Sequence, residues 1–207
     1  MSAVTQSRSL PARALAIIVT PAAEWQRISA EESPSSVILM RYGLPLSLIW
    51  PVSASLGAMR YGRIAYGFGA YSGLAAPSGT QLIINGMYCT LLSLVSLMAL
   101  GTFIDMLAPR FGGTRNSDRS FALAAYSATP VFLVGIVALI PSLAWLSVLG
   151  LWGIALLSIG APVMMDIPRE RRTGFVLAIV ALALVMNLAI SLLLQFNTRT
   201  VVEMGLA

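Results

Sequence analysis

The sequence has no histidine, no lysine and only one cysteine, Cys89, and each absence excludes a class of function. A single thiol cannot form a disulfide within the chain. Without histidine, the chain can build neither a zinc site with His and several Cys ligands nor a Ser-His-Asp or Cys-His catalytic system. A site made only of carboxylates is left open, but the 8 acidic residues are scattered along the chain. We therefore expect a protein that is not an enzyme and has no cofactor and no metal.

Charged residues are also scarce, since they make up 10% of the chain whereas hydrophobic residues make up 57%. A soluble domain carries about 25% charged residues, and with far fewer it cannot cover its surface. The 13 basic residues are all arginine and give a net charge of +5, but no basic block alternates with aromatic residues. This pattern argues against nucleic-acid binding and favours anionic lipid headgroups as partners. The composition predicts an all-α integral membrane protein.

Five apolar stretches are long enough to cross a membrane, which takes roughly 20 residues. We place these transmembrane helices at about 42–59, 82–104, 121–140, 143–165 and 174–196, within a membrane domain that covers residues 37–196. The first is short and contains Pro45 and Pro51. Residues 120–165 carry no charge and are too long for one crossing, so the chain must turn, and Pro141 marks the turn.

The segments outside the five spans are polar or short. Residues 1–9 are predicted to be a disordered tail, and residues 197–207 a short external tail. Residues 10–36 are predicted to form two short amphipathic helices that lie at the membrane interface, with a solvated helical arm as the alternative. The segment 60–81 is rich in Gly, Tyr and Ser, and nothing in it indicates a stable element.

The arginines predict the orientation of the chain. Ten of them fall on the side of the amino terminus and three, Arg60, Arg63 and Arg199, on the other side. The positive-inside rule then places the amino terminus in the cytoplasm and, after five crossings, the carboxyl terminus outside. We expect contact with lipid headgroups from Trp25, Arg27, Arg169, Arg171 and Arg172.

Asp105 ends the uncharged second span, where both the nearby lipid and the negative end of the helix dipole favour a cationic partner. We predict an ion pair with Arg41, which starts the first span at the same depth. Arg115 and Arg119 are alternative partners, and solvation or a proton relay are the other interpretations.

The residues that follow Asp105 predict a helix exit into a loop, which either docks a partner or only fixes the orientation of the chain. Thr129 and Pro130 predict a bend in the third span, either static or hinged. The candidate residues for structural or partner contacts are Asp105, Arg41, Pro109, Arg110, Phe111, Gly112, Gly113, Arg115, Thr129 and Pro130.

A family resemblance is carried by residues 103–141, which read FIDMLAPRFGGTRNSDRSFALAAYSATPVFLVGIVALIP. The ID-x-LAP-x-FGG and AYS-x-TP motifs, with TPAAEW, AEESP and IGAPVMMDIPRERR elsewhere, resemble the bacterial branch of the YIP (Ypt/Rab-interacting protein) domain family over roughly residues 12–195. The resemblance implies a five-span membrane protein with a cytosolic amino terminus. Eukaryotic relatives associate with Rab-type GTPases and with one another, but the arginine-only, compact sequence resembles the bacterial branch, where Rab partners do not exist, so a Rab-type partner is not expected.

The sequence thus predicts a non-enzymatic scaffold or protein-docking factor of a bacterial inner membrane. Its expected partners are lipids and either other membrane proteins or further copies of itself. The alternative is a small transporter or channel, which the prolines in the first and third spans suggest. No internal repeat of the kind found in many transporters supports that alternative.

Overall fold

The computed structural model describes residues 9–61, 64–66, 70–72 and 79–203, and almost all of these residues are helical. The α-helices are α1 (Leu10–Val19), α2 (Pro21–Glu31), α3 (Ser35–Ile38), α4 (Leu44–Ser47), α5 (Ile49–Tyr61), α6 (Gly79–Leu107), α7 (Ser117–Ser127), α8 (Thr129–Val134), α9 (Trp152–Met165) and α10 (Arg169–Glu203). The prediction of an all-α membrane protein is confirmed, because five helical segments are long and apolar enough to span. They are Ser35–Tyr61, Leu82–Phe111, Ser117–Leu139, Ser142–Met165 and Arg169–Leu193.

The first span is longer than predicted because it begins at Ser35. A π-helical turn, Leu39–Gly43, lies just before Pro45. Proline has no N–H to donate to the carbonyl four residues earlier, and its ring clashes with that carbonyl. The wider turn accommodates the proline without ending the span.

The third and fourth spans meet at the predicted break. Ile140 is extended, with φ −131° and ψ 103°, directly before Pro141, as expected for a residue that precedes proline. The backbone on both sides is 3₁₀-helical, over Gly135–Leu139 and Pro141–Leu151. The two spans therefore form the antiparallel hairpin that the sequence predicts.

Two outer segments contain regular structure that the sequence did not indicate. Within the segment 60–81, strands β1 (Ile64–Tyr66) and β2 (Ala70–Ser72) pair antiparallel, because Ile and Tyr favour extended backbone. The tail predicted from residue 197 is helical as far as Glu203, where α10 ends. Residues 1–8 of the predicted disordered tail and residues 204–207 lie outside the described part of the chain.

Glycines set how closely the spans approach. A Cβ on Gly101 would lie 3.1 Å from Cα of Phe121, and one on Gly57 would lie 2.4 Å from the carbonyl oxygen of Ala138. The third span is thereby packed directly on the first and the second, and it also packs on the fourth. The fifth span lies at the periphery, against α6 and α9.

One end of the bundle carries the turns 108–116 and 166–168 and most of the arginines, and we call it the basic end. Helices α1 and α2, which we call the cap, fold onto this end. The largest core cluster joins buried side chains of the cap to those of the third and fourth spans: Ile17, Trp25, Ile28, Leu123, Leu156 and Met164. The cap and the basic end together hold the candidate site.

Candidate functional site

The side chain of Trp25 packs the cap against the bundle. This side chain is 0% exposed and its ring meets that of Tyr126 edge-on, with centroids 6.2 Å apart. Gly160 creates the space, because a Cβ there would lie 2.6 Å from the indole. The predicted headgroup contact of Trp25 is therefore wrong: a recess between α7 and α9 covers the ring with protein instead of lipid.

Arg27 and the outer side of the cap remain accessible. The Arg27 side chain is 56% exposed and lies 3.7 Å from Glu24. On α1, Leu15 and Val19 are one helical turn apart and are 64% and 66% exposed. The cap thus packs one side on the bundle and leaves a short apolar edge on the other, and headgroup contact by Arg27 stays a prediction.

Arg13 is a buried cation that the sequence analysis did not single out. Its Nη2 lies 2.5 Å from Oε1 of Glu31, and its guanidinium lies 5.7 Å from the centre of the Tyr126 ring. Burial acts to lower the pKa of Arg13, but the hydrogen bond that Arg13 donates to Glu31 and the nearby acidic groups outweigh it and raise the pKa. The signal was available, because Arg13 stands on the apolar stripe of α1 between Leu10 and Ile17.

Tyr42, Tyr126 and Thr129 tie the first span to the third. The Tyr42 and Tyr126 rings are 4.6 Å apart. The Thr129 hydroxyl donates to the Tyr126 carbonyl at 2.7 Å, which is the bond expected where Thr129 and Pro130 interrupt the helix. Because Thr129 uses its hydrogen there, the Tyr42 hydroxyl is the donor in the 2.7 Å bond between Tyr42 and Thr129.

A cavity of about 260 Å³ lies beside this cluster, between the end of α2, the start of the first span, α7 and α9. Its apolar wall includes Ile28, Ile38 and Met164, and Tyr126 also lines it. Glu32 and Arg119 stand at its polar side, 4.0 Å apart. The cap is therefore tightly packed around Trp25 but loosely packed near its link to the first span.

Asp105 pairs with Arg115, whose Nε lies 3.0 Å from Oδ2 of the aspartate. The predicted pair with Arg41 is wrong, since Arg41 is exposed and forms no ion pair with Asp105 in the described part of the chain. The reason is the loop, which turns back after α6 and returns Arg115 to the end of the helix that it has just left. Arg115, one of the alternatives, is the partner.

The loop after α6 is packed on the turn between the fourth and fifth spans. Pro109 lies in a 3₁₀ turn that ends at Gly112, which has a left-handed φ of 82°. A Cβ on Gly113 would lie 2.4 Å from the carbonyl oxygen of Met165. Thr114 donates its N–H to that oxygen at 2.9 Å and its hydroxyl to Asp166 at 2.8 Å. The loop is thus an internal junction, not only a surface.

Several predicted residues stay at the surface or beside this junction. Phe111 packs edge-on against Phe175, with ring centroids 5.7 Å apart. Arg110, Arg169 and Arg171 are exposed and Arg172 is half-buried, so their contact with headgroups or partners stays a prediction. Within the described ranges, no group of three His, Cys, Asp or Glu side chains could hold a metal ion.

Comparison with known protein families gives one match. The family model of the Yip1 domain matches residues 15–190, which is most of the chain. No curated protein and no solved structure is significantly similar to the chain. The match spans the cap from within α1 and reaches into the fifth span. The chain therefore belongs to the Yip1 domain family, a family of non-enzymatic membrane proteins.

Proposed function

We propose that this Yip1-domain protein organises a bacterial inner membrane from its basic end, where it binds anionic lipid headgroups and docks other membrane proteins. The observation that supports this most directly is a set of exposed arginines around the cap and the basic end. This basic rim consists of Arg27, Arg41, Arg110, Arg169 and Arg171. An exposed arginine near an anionic surface gains about 1 kcal/mol, so several together select anionic lipid.

The orientation in this proposal follows from charge. The basic rim, the cap and the turns 108–116 and 166–168 lie at one end of the bundle, and the positive-inside rule favours that end in the cytoplasm. The leaflet that carries the negative surface potential would then face the rim. The fifth span ends on the opposite side, which makes the carboxyl terminus external.

The cap adds an apolar element to the basic rim. Leu15 and Val19 on α1 and Met40 in the first span are exposed, at 64%, 66% and 62%. Side chains of this kind beside arginines fit the boundary between headgroups and acyl chains. The cap would therefore lie in the interface with one side on the bundle and the other on lipid.

Transport of a solute has less support. Asp105 is held by Arg115 at the end of the second span and does not stand free at mid-depth. The proline-containing first and third spans approach closely, since a Cβ on Gly135 would lie 2.8 Å from the Trp50 side chain. Such direct contact favours a packed core over a path between these spans.

The test measures which lipids surround the protein. The full chain is reconstituted in phosphatidylethanolamine vesicles that contain a minority of fluorescent phosphatidylglycerol, and energy transfer from a donor near the basic end reports its enrichment. We expect enrichment in the parent protein and a clear loss in the double variant Arg169→Gln, Arg171→Gln.

The matched control is Arg60→Gln, because Arg60 is an exposed arginine at the opposite end of the first span. This variant should leave the enrichment at the basic end unchanged. Equal transfer to anionic and zwitterionic labels in the parent protein would contradict the proposal. Solute flux through the same vesicles that is lost on Asp105→Asn would favour the transporter instead.

A further inference from the structure

We propose that the cap can leave its recess and that the cap of a second copy of this chain can take its place. The recess, which we call the socket, is formed by Leu123, Tyr126 and Gly160 around Trp25. Exchange of an identical element between protomers is a low-cost route to a dimer. This inference concerns partner copies and does not depend on the lipid preference proposed above.

The cap is built as a unit that can move intact. The buried ion pair between Arg13 and Glu31 joins α1 to α2 within the cap, so it is kept when the cap leaves. The contacts that are given up, from Arg13 and Trp25 to Tyr126, are made again in the socket of another copy. The closed and the exchanged arrangements therefore contain the same contacts.

The link between the cap and the first span is short and strained. Only Glu32, Ser33 and Pro34 connect α2 to α3. Glu32 has φ 43° and ψ 42°, a left-handed conformation that is unfavourable for a residue other than Gly, Asn or Asp. An extended link relieves this strain, and short strained hinges favour exchange.

The packing around the link is loose. Glu32 is 80% exposed and its only ion pair in the described part of the chain joins it to Arg119 at 4.0 Å. The cavity of about 260 Å³ lies directly beside the link. On the other side of the link, Asp118 accepts the N–H of Ser35 at 2.7 Å, which anchors the start of the first span. The hinge therefore lies between residues 31 and 35.

The membrane favours exchange, because copies in one membrane share one orientation and depth. A cap that leaves its own socket therefore stays at the same depth in the membrane as the socket of a neighbouring copy. Three extended residues reach about 10 Å, so the two copies must meet on the side of the cavity. The resulting dimer has a two-fold axis along the membrane normal.

The crosslinking experiment tests which cap enters which socket, and not only whether two copies lie close together. One copy carries Gly160→Leu, which blocks its socket and leaves its cap intact. The other carries Trp25→Ala, which spoils its cap and leaves its socket intact. Both carry Cys89→Ala, have different tags and are reconstituted together. Thiols are placed at Ser29 on one cap and at Arg119 beside the other socket, since both residues line the cavity, and are joined with a short bifunctional reagent.

Exchange predicts a directional result. The Ser29→Cys thiol on the Gly160→Leu copy should be joined to the Arg119→Cys thiol on the Trp25→Ala copy several-fold more often than with the two thiols reversed. Equal yields in the two directions would mean that the copies are only neighbours, and the proposal would be wrong. No product between copies would also overturn it. A single chain with both thiols is the positive control for the reagent.

One further variant controls for misfolding of the blocked copy. Gly160→Ala is the milder block, because even one methyl group would lie 2.6 Å from the indole. The hinge itself is tested with Glu32→Asn, which tolerates the left-handed conformation, against Glu32→Ile, which does not. The yield of crosslinks between copies should fall in Glu32→Asn and rise in Glu32→Ile. The opposite order would count against strain at the hinge.

Discussion

The third and fifth spans are both apolar helical segments, but they meet different surroundings. In the most apolar window of the third span 56% of the residues are buried inside the protein, and in that of the fifth span 11% are. The buried span is broken, at Ala128 and again at Gly135, whereas α10 is uninterrupted over 35 residues. A broken helix frees backbone groups that neighbouring helices must satisfy, so it belongs in the middle.

Contact with protein, and not apolar character, should therefore determine how much a substitution lowers the free energy of unfolding. Lipid tails solvate an exposed leucine as well as the core does, so moving it between them gains little. Packing against glycines runs along the third span from Phe121 to Ala138, and its buried hydrogen bonds lie at Thr129. We order five sets of substitutions from the largest expected effect on stability to the smallest, and the set at Arg13 also includes a prediction about pH.

The largest effect is expected at Trp25. Trp25→Ala empties the recess at Gly160 and should lower the free energy of unfolding by about 3–5 kcal/mol. The measurement is unfolding in mixed micelles titrated with denaturing detergent. The matched control is Trp145→Ala, since Trp145 is 69% exposed and should change stability by less than about 1 kcal/mol. Similar losses for both tryptophans would refute the role of the recess.

Two leucines test the comparison directly. Leu123 in the third span is 0% exposed and Leu188 in the fifth span is 61% exposed. Leu123→Ala should cost about 2–4 kcal/mol because it leaves a cavity, whereas Leu188→Ala loses mainly contact with lipid. The same detergent titration measures both. If Leu188→Ala were as costly, the fifth span would have a packed neighbour in the micelle.

Arg13 tests the ion pair inside the cap. Arg13→Met removes one partner of a buried pair and should lower stability by about 2–3 kcal/mol. Glu31→Leu in the same chain should recover part of this loss, because it removes the uncompensated acid. Protease cleavage near residues 32–34 provides a second readout. A double variant that is worse than Arg13→Met would contradict the pairing.

The raised pKa of Arg13 also predicts how its contribution to stability depends on pH. The pKa of Arg13 is raised in the folded state, so its contribution is complete below the unfolded-state pKa and is lost only as the pH rises through the folded-state value. Both values lie far above neutrality. Arg13 should therefore contribute no change of stability between pH 6 and 9, as judged by the difference between Glu31→Leu and the double variant Arg13→Met, Glu31→Leu, neither of which has an acid at residue 31.

Two threonines test the bend in the third span. Thr129→Val removes the bonds to Tyr126 and Tyr42 and should cost about 1–1.5 kcal/mol. Thr102 is the matched control, because its hydroxyl also donates to a backbone carbonyl, that of Met98, but is exposed. Thr102→Val should change stability little. If Tyr42→Phe does not change stability further in the Thr129→Val variant, the hydroxyls of Tyr42 and Thr129 stabilise the protein only through their shared hydrogen bond.

The smallest effect is expected at Asp105. Arg115 is 67% exposed on its side chain, and ion pairs with an exposed partner contribute about 0–1 kcal/mol. Arg115→Gln should therefore lower stability slightly, and the loss should shrink at high salt. Arg41→Gln should have no such salt dependence. A larger effect at Arg41 than at Arg115 would restore the pairing that the structure contradicts.

The sequence was sufficient for the features that depend on composition along the chain. The five spans follow from charge-free runs, and the turn at Pro141 follows from a run too long for one crossing. The bend at Thr129 follows from a local pair of residues. The extent of the first span was missed because the predicted span stops next to the charged Arg41, whereas the helical segment continues through Arg41 and begins at Ser35.

Features that depend on partners were harder to predict. The amphipathic pattern of α2 shows that Trp25 needs cover, but lipid and the recess at Gly160 satisfy the same pattern. Asp105 needed a cation, and only the path of the loop decides between Arg41 and Arg115. Arg13 carried a usable signal, since a lone arginine on an apolar stripe predicts a buried partner such as Glu31.

The junction of Gly113 and Thr114 with Met165 has a consequence for biosynthesis. The turn between the second and third spans cannot reach its final form until the fourth span has been translated, because its hydrogen-bond acceptor does not yet exist. The same holds for the tryptophan of the cap, whose seat includes a glycine of that later span. The cap helices, which precede the five spans, are thus among the last elements to be fixed in place, and a nascent chain stalled before the fourth span should expose them to chaperones and proteases.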